Sequence, residues 1–286
     1  MRIVENRILE VIVVSNDVNY QNLNSKKQSN PLFNIINDTG FVGMFKSIGC
    51  IGDSLTQGVF DRTNNTELDW NETSFYSYPS ILQRKTGAKV FNLGYKGTTA
   101  CDSIQARKDC HSWLEKSEDN LWFTEKYKSV AYIISIGTND IKYYGEFTGD
   151  VSSDIDVNNY LNNNCSTSVG GLATIIQKCR ELQPNAVIFV ETIDNTRNTT
   201  ECRKSANKKI REICEKLNCE LLDFEKYWIQ LDEVEEWKSN FQNGEHLNAL
   251  GYFEKTMARI TYIDWIIRNN PKKFKNIQFI GTINNF

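Results

Sequence analysis

The sequence lacks the long apolar run that a membrane-spanning helix requires. No stretch of its 286 residues approaches the ~20 consecutive apolar positions that cross a bilayer. Charged residues interrupt the apolar N-terminal stretch, and no small-residue cleavage site follows it. We therefore expect no signal peptide, a cytoplasmic location and no stable association with a membrane.

The chain also lacks a strong excess of charge of either sign. Its 33 lysine and arginine residues nearly balance 36 aspartate and glutamate residues, for a formal net charge of -3. This balance gives no reason to expect a nucleic acid or an anionic membrane as a partner. No pattern in the sequence indicates an oligomeric state.

Histidine is scarce, and the cysteines show no metal-binding spacing. The two histidines are His111 and His246, and no two of the eight cysteines are spaced as C-x-x-C. Because no cluster of ligands has binding spacing, we expect neither a metal ion nor another cofactor. A chain of this length needs no disulfides to fold, so we expect reduced, mostly buried thiols.

Short apolar segments that alternate with amphipathic segments predict the fold. This alternation indicates an α/β protein with a parallel, doubly wound sheet. Residues 1–44 are predicted to form a small N-terminal β extension, with a strand at Ile8–Val14, and residues 45–286 form the main domain. The five predicted core strands are Lys46–Ile51, Ala88–Phe91, Val130–Ile136, Ala186–Val190 and Cys219–Asp223.

Helices are predicted between these strands and after the last one. One of them follows the second strand and carries Ala100, Ile104, Trp113 and Leu114 as apolar residues. His111 would lie on this helix, and we interpret it as a structural or surface residue. Residues 141–167 are predicted to be a long polar loop. The other predicted helices are 77–85, 171–182, 199–217 and a last one that ends near Asn269.

Ser54 marks the candidate functional site. It lies in the motif Gly52-Asp53-Ser54-Leu55, directly after the first core strand. A serine in this place is lifted to the carboxyl end of the strand, where open α/β sheets bind ligands. The glycine allows a sharp turn and a close approach of backbone N–H groups to a substrate.

Three further positions fall at the same edge of the predicted sheet. Gly97 follows the second strand, Asn139 follows the third, and His246 precedes the last helix. Acyl transfer requires a nucleophile, a base and donors for the oxyanion that forms. Ser54 can be the nucleophile and His246 the base. The N–H groups of Ser54 and Gly97, with the side-chain amide of Asn139, can form the oxyanion hole.

These stretches resemble the sequence blocks of the SGNH (GDSL) hydrolase family. The resemblance spans roughly residues 45–270, and four blocks in the right order are far more specific than any one of them. The matching blocks are Gly52-Asp53-Ser54-Leu55, Asn92 to Gly97, Gly137-Thr138-Asn139-Asp140 and His246-Leu247-Asn248-x-x-Gly251-Tyr252. The stretch Tyr262–Pro271 also resembles uncharacterised bacterial members of the family. The resemblance implies a flavodoxin-like three-layer fold and metal-free hydrolysis of esters, among them acetylated sugars, lipids and thioesters.

One position departs from the family pattern. The last block usually reads Asp-x-x-His, and this chain has Asn243 three residues before His246. An aspartate there would orient the imidazole and stabilise its protonated form. The amide oxygen of Asn243 can accept from the ring N–H without supplying charge, whereas a flipped amide would select the wrong tautomer. Other carboxylates that could take the role are Asp223, Asp232 and Glu245.

Three functional interpretations remain open at this stage. The first is a serine esterase that removes a small acyl group, with acetyl as the leading candidate, from a carbohydrate or similar alcohol. Aromatic, polar loops at 59–78 and 141–167 favour it, since a long acyl chain would need an apolar channel. The second is a lysophospholipase or thioesterase of the same family. The third, suggested by Asn243, is a non-catalytic ligand-binding protein on the same scaffold.

Overall fold

A five-stranded parallel sheet organises the chain. The computed structural model describes residues 30–60 except 37, 74–102, 110–193, 200–228, 235–243 and 246–275, with the backbone alone at 235–237 and 243. The strands of the central sheet are β1 (Ser47–Gly52), β2 (Lys89–Gly94), β5 (Ala131–Ser135), β6 (Val187–Glu191) and β7 (Glu220–Leu222). Short strands form two further pairs, β3 (Thr98–Thr99) with β4 (His111–Ser112) and β8 (Gln242–Asn243) with β9 (His246–Leu247).

Helices connect the strands of the central sheet. The α-helices are α1 (Ser54–Gln57), α2 (Tyr78–Thr86), α3 (Trp113–Asp119), α4 (Thr138–Tyr144), α5 (Ser168–Leu182), α6 (Thr200–Lys216), α7 (Phe224–Tyr227), α8 (Glu235–Phe241), α9 (Ala249–Asn269) and α10 (Pro271–Phe274). Short 3-10 helices lie at Gly40–Met44, Glu125–Tyr127 and Tyr160–Asn162. None of the described helices combines the length and the apolar character needed to cross a membrane.

The strand order confirms the predicted doubly wound sheet. The order is β2-β1-β5-β6-β7, and every neighbouring pair is parallel. Counted along the central sheet alone this is 2-1-3-4-5, the flavodoxin-like order. The chain leaves β1 toward β2 on one side of the sheet, and the later strands, beginning with β5, lie on the other side of β1. The strand order therefore reverses at β1. In sheets of this kind, ligands bind beyond the carboxyl ends of the strands at such a point, which here are β1 and β5.

Apolar side chains cover both faces of the sheet, which gives the predicted three layers. On β1, Ile51 joins the cluster formed with α3, α5 and α6. Ile48 and Cys50 point the other way, into the cluster formed with α2 and α9. The core strands read as continuous apolar runs because helices bury both of their faces.

The described N-terminal residues pack against the last helix. The N–H of Phe41 donates to the Asp264 carboxylate at 2.7 Å, and Val42 and Phe45 are fully buried. The predicted strand at Ile8–Val14 lies outside the described residues. The division of the chain at residue 44 stays a prediction.

The prediction of a helix directly after the second strand is wrong for the first part of that segment. Ala100 lies in a bend, and His111 belongs to β4 rather than to a helix. The N–H of His111 donates to the carbonyl of Gly97 at 3.1 Å, which ties this segment to the chain beyond β2 as a parallel pair. The helix α3 begins only at Trp113, where Ser112 caps its N-terminus.

The predicted loop at 141–167 begins inside a helix. Helix α4 extends to Tyr144 and ends at Gly145, whose φ of 81° suits a glycine. Beyond it, Phe147 and Ile155 are buried in the core. Their burial fixes the remaining polar segment against the domain.

Candidate active site

Ser54 begins helix α1 directly beyond β1. The carboxylate of Asp53 caps this helix by accepting from the N–H of Leu55 at 2.9 Å, and Gly58 ends it with φ of 91°. Gly52 is needed at the end of the strand, since a Cβ there would lie 2.2 Å from the carbonyl oxygen of Ser135 on β5. The sequence thus places the Ser54 hydroxyl at the carboxyl edge of the sheet, on the first turn of a helix.

His246 reaches Ser54 from the far end of the chain. Its Nε2 lies 2.9 Å from the Ser54 Oγ, across a sequence separation of 192 residues. The next residue, Leu247, is buried against Ile81 and Tyr252, which fixes β9 beside helix α2. For Ser54 to donate its proton along this contact, Nε2 must be the unprotonated ring nitrogen.

Gly97 and Asn139 meet at the same edge. Gly97 has φ of 75°, a conformation that suits glycine, in the turn between β2 and β3. The side-chain amide of Asn139, on the first turn of α4, donates to the carbonyl of Thr98 at 2.9 Å. The Thr98 hydroxyl in turn contacts the carbonyls of Tyr95, at 2.8 Å, and Gly52, at 3.3 Å. The chain around Gly97 is therefore fastened to β1 and to α4.

Each predicted oxyanion donor keeps at least one hydrogen that no described residue accepts. Ser54 is the first residue of its helix, so its N–H has no acceptor within the helix. Among the described residues, no backbone or side-chain group accepts from the N–H of Ser54 or of Gly97. The Asn139 amide has two hydrogens, of which Thr98 takes one. The structure brings together the predicted residues Ser54, Gly97, Asn139 and His246.

The sequence also matches a family model over most of the domain. Residues 50–252 match the model of the GDSL-like lipase/acylhydrolase family. The chain belongs to this family. Its members are ester hydrolases, so the protein is an enzyme that acts on ester bonds.

Solved structures share the fold of this chain. A protein from Lactobacillus plantarum matches 79% of this chain and 98% of its own, at 14% identity and a TM-score of 0.56. A carbohydrate esterase family 2 enzyme from Myceliophthora fergusii matches 79% of this chain and 67% of its own, at 16% identity and a TM-score of 0.55. A family two carbohydrate esterase from Clostridium thermocellum, solved with cellohexaose, matches 80% of this chain and 66% of its own, at 16% identity and a TM-score of 0.50. At these identities the structural similarity shows the fold alone. A comparison with curated proteins finds no match to the sequence.

The group that orients the imidazole in this GDSL-family enzyme stays a prediction. The backbone of Asn243 pairs with that of His246 across β8 and β9, but the Asn243 side chain lies outside the described residues. The alternatives Asp232 and Glu245 also lie outside them. Asp223 is engaged elsewhere, since its carboxylate accepts two hydrogen bonds from Arg211 at 2.8 and 2.9 Å.

Asp53 adds a carboxylate whose electrostatic role sequence reasoning missed. It is fully buried behind Ser54, and burial raises its pKa to about 6, against the lowering effects of the Leu55 N–H and of the charges on His246 and Lys255. Above that pH, an ionised Asp53 places a buried negative charge beside the site. The signal was present in the motif, where Asp53 stands beside the nucleophile, but its burial cannot be read from sequence.

Proposed function

We propose that this enzyme is a serine esterase that hydrolyses a small acyl ester, acetyl first among the candidates, on a carbohydrate or similar alcohol. The observation that carries the proposal is the 2.9 Å contact between Ser54 Oγ and His246 Nε2. A hydroxyl within hydrogen-bond reach of an imidazole, at the carboxyl edge of the sheet, is the arrangement that nucleophilic acyl transfer requires.

The reaction would proceed through an acyl-enzyme. His246 takes the proton of Ser54 as its oxygen attacks the acyl carbon, and the resulting oxyanion accepts from the N–H groups of Ser54 and Gly97 and from the Asn139 amide. Collapse of this intermediate breaks the ester bond, and His246 gives its proton to the departing alcohol. Water then attacks the acyl group by the same route and releases the acid.

Aromatic side chains beside the site support a carbohydrate as the alcohol. The ring of Phe60, six residues beyond Ser54, lies 5.4 Å from that of Tyr252 and 6.1 Å from that of Tyr76. Phe75 and Tyr76 are 51% and 43% exposed, and the Arg84 guanidinium covers one face of the Phe75 ring at 3.8 Å from its centre. Aromatic faces suit the apolar side of a sugar ring, whose hydroxyl groups stay in contact with water. Two structures of the same fold are of carbohydrate esterases, which makes acetylated sugars the first substrates to test.

The test combines active-site labelling with a substrate series. A fluorophosphonate should label Ser54 in the native enzyme, as located by peptide mass analysis, and should not label Ser54→Ala. Ser54→Ala should lose turnover of p-nitrophenyl acetate and keep its thermal midpoint, because only one hydroxyl is removed. Full activity of this variant would refute Ser54 as the nucleophile.

The substrate series separates the proposal from its alternatives within the family. We expect kcat/KM to fall from p-nitrophenyl acetate to the octanoate, and acetylated xylo-oligosaccharides to be deacetylated. A preference for the octanoate and for lysophosphatidylcholine would instead identify a lysophospholipase. Preference for an acyl-CoA over oxygen esters would identify a thioesterase.

A further inference from the structure

The segment that follows Gly97 is held by a buried carboxylate on helix α4. Asp140 accepts from the N–H of Ala100 at 2.8 Å through Oδ2 and from the N–H of Cys101 at 3.1 Å through Oδ1. Its side chain is fully buried. Hydrogen bonds from backbone N–H groups to an ionised carboxylate are stronger than those between neutral groups. This pair of contacts therefore fixes the path of the chain just beyond Gly97.

Asp140 also sets where this segment lies relative to Asn139. The two residues are consecutive on the first turn of α4, and the Asn139 amide donates to the carbonyl of Thr98. The first turn of α4 thus binds the segment at two places. Asn139 bonds to Thr98, and Asp140 bonds to Ala100 and Cys101. Any movement of Asp140 would change the distance between the Gly97 N–H and the Asn139 amide.

The packing around Ala100 leaves the segment little room to adjust. Gly171 of helix α5 approaches so closely that a Cβ there would lie 2.0 Å from the Ala100 carbonyl oxygen. The Ser168 hydroxyl of helix α5 contacts the Thr148 hydroxyl at 3.1 Å. Burial raises the pKa of Asp140, and the nearby Ser168 side chain and the N–H groups of Ala100 and Cys101 oppose that rise. The carboxylate is thus held by two backbone N–H groups of one loop.

We propose that Asp140 is a positioning residue, which holds the Gly97 N–H in the place where it meets the developing oxyanion. This inference rests on the esterase mechanism proposed above. Asp140 acts through the backbone of Ala100 and Cys101, and its own carboxylate is directed at their N–H groups.

The decisive variant is Asp140→Asn, which keeps the shape of the side chain. The amide oxygen of the new side chain can still accept from one N–H. Its NH2 group would face the other N–H, so one hydrogen bond is lost and two donors point at each other. Asp140→Asn should displace an oxyanion donor without removing it. We therefore expect kcat to fall ~10–100-fold, less than on complete loss of a donor. KM should change less than ~2-fold, because the donor acts mainly in the transition state.

Inhibitor affinity separates positioning from a purely structural role. A boronic acid adds to Ser54 and forms a tetrahedral adduct that places an oxygen in the oxyanion hole. Its inhibition constant should rise by the same factor as kcat/KM falls, whereas the product alcohol should bind unchanged. Rates are expressed per active site, counted by fluorophosphonate titration. A kcat per titrated site equal to that of the wild type would overturn the proposal.

A matched control is Asp264→Asn, far from the site on helix α9. Asp264 is also buried and accepts a backbone N–H, that of Phe41, at 2.7 Å. This variant should lower the thermal midpoint without changing kcat or the boronate affinity. If Asp140→Asn likewise lowers only the thermal midpoint and leaves kcat and the boronate affinity unchanged, the role of Asp140 is structural and the proposal fails.

A milder variant decides the matter if Asp140→Asn does not fold. Ser168→Ala removes a polar side chain near the carboxylate, together with its contact to Thr148 at 3.1 Å, and should lower kcat and boronate affinity together by a factor of a few. An unchanged kcat there would count against positioning. A different outcome refutes the esterase mechanism, namely a Ser54→Ala variant that retains activity. If Ser54→Ala is inactive and Asp140→Asn is fully active, the esterase mechanism stands and only the positioning role of Asp140 is refuted.

Discussion

The Nε2 of His246 and the Oγ of Ser54 lie 2.9 Å apart, although 192 positions separate them in the sequence. Two independent elements create this contact. Helix α1 presents Ser54 at the end of β1, and β9 presents His246 just before helix α9. Loss of turnover without loss of fold is therefore expected from changes at either residue, and further predictions follow from the groups around them.

Asn139→Ala should lower kcat by ~10²–10³ with little change in KM, because the amide would bind mainly the developing oxyanion. The same amide donates to the Thr98 carbonyl at 2.9 Å, so the variant should also lose about 1 kcal/mol or more of stability. Steady-state kinetics with p-nitrophenyl acetate, below the thermal midpoint of the variant, measure the first effect. An effect on KM alone would make Asn139 a ground-state contact of the substrate.

A second buried asparagine provides the control for Asn139. Asn207 is fully buried and exchanges hydrogen bonds of 2.7 Å with the N–H and carbonyl of Ile193. Asn207→Ala should therefore lower stability at least as much as Asn139→Ala. It should keep kcat, which separates loss of an oxyanion donor from general loss of packing.

Asp53→Asn should change the pH dependence of stability. Burial raises the pKa of Asp53 from 3.8 to about 6, so the folded protein holds a proton that the unfolded chain has lost over this range. Its contribution to stability is fully present below about pH 4 and is lost as the pH rises through about 6. The free energy of unfolding of the wild type, relative to Asp53→Asn, should fall by about 3 kcal/mol across this interval.

Urea denaturation of both proteins at a series of pH values measures this difference. The comparison cancels the contributions of other carboxyl groups, such as Asp140, because both proteins contain them. Asn keeps an oxygen that can accept from the Leu55 N–H, so the cap of helix α1 is retained. A difference that does not vary with pH would show that Asp53 titrates near its ordinary value in the folded protein.

Glu191→Gln should destabilise the fold by about 3–5 kcal/mol, because it leaves a buried arginine without its counter-charge. The Glu191 and Arg259 side chains are only 1% and 2% exposed. They form two hydrogen bonds, and the guanidinium also lies 3.8 Å from the centre of the Tyr78 ring. Although burial favours the neutral acid, the Arg259 charge holds the pKa of Glu191 below its ordinary value.

An exposed ion pair gives the reference for this change. The Lys208 and Glu212 side chains are 78% and 46% exposed and lie 3.9 Å apart on helix α6. Glu212→Gln should have only a small effect, since water and salt screen such a pair. The double change Glu191→Gln with Arg259→Met should recover part of the loss. Equal destabilisation by Glu191→Gln and Glu212→Gln would contradict the argument.

The sheet and the position of the site were predictable because they depend on local patterns. A strand buried on both faces reads as an apolar run, and in a parallel sheet every such run ends at the same edge. The residues that follow these runs, such as Ser54, Gly97 and Asn139, were therefore expected to meet before any contact was known. The observed strand β6 ends at Glu191, one residue from the predicted end.

The interactions between segments were not predictable in the same way. The apolar spacing of Ala100, Trp113 and Leu114 indicates a helix, but the carbonyl of Gly97 pairs with His111 and draws the chain into β4. The sequence block that contains Asp140 gives no sign of its contact with Ala100, which joins residues 40 positions apart. Hydrogen bonds between distant segments leave no period in the sequence, so only the fold reveals them.

Asn243 is the position where the family pattern and this sequence differ, and it yields the last prediction. If its amide oxygen orients His246, Asn243→Asp keeps the geometry and adds a charge beside the developing imidazolium. Turnover should then rise, by about tenfold or more given the ~10⁴-fold effect of the reverse change in a serine protease. Asn243→Ala should lower turnover.

The pH profile of kcat/KM distinguishes the remaining arrangements. If a carboxylate, Asp53 included, already stabilises the imidazolium, the new aspartate adds a second negative charge. The acidic limb of the kcat/KM profile should then move to higher pH, with little gain in rate. If neither Asn243→Asp nor Asn243→Ala changes the profile, Asn243 has no part in orienting His246, and its match to the family's aspartate is accidental.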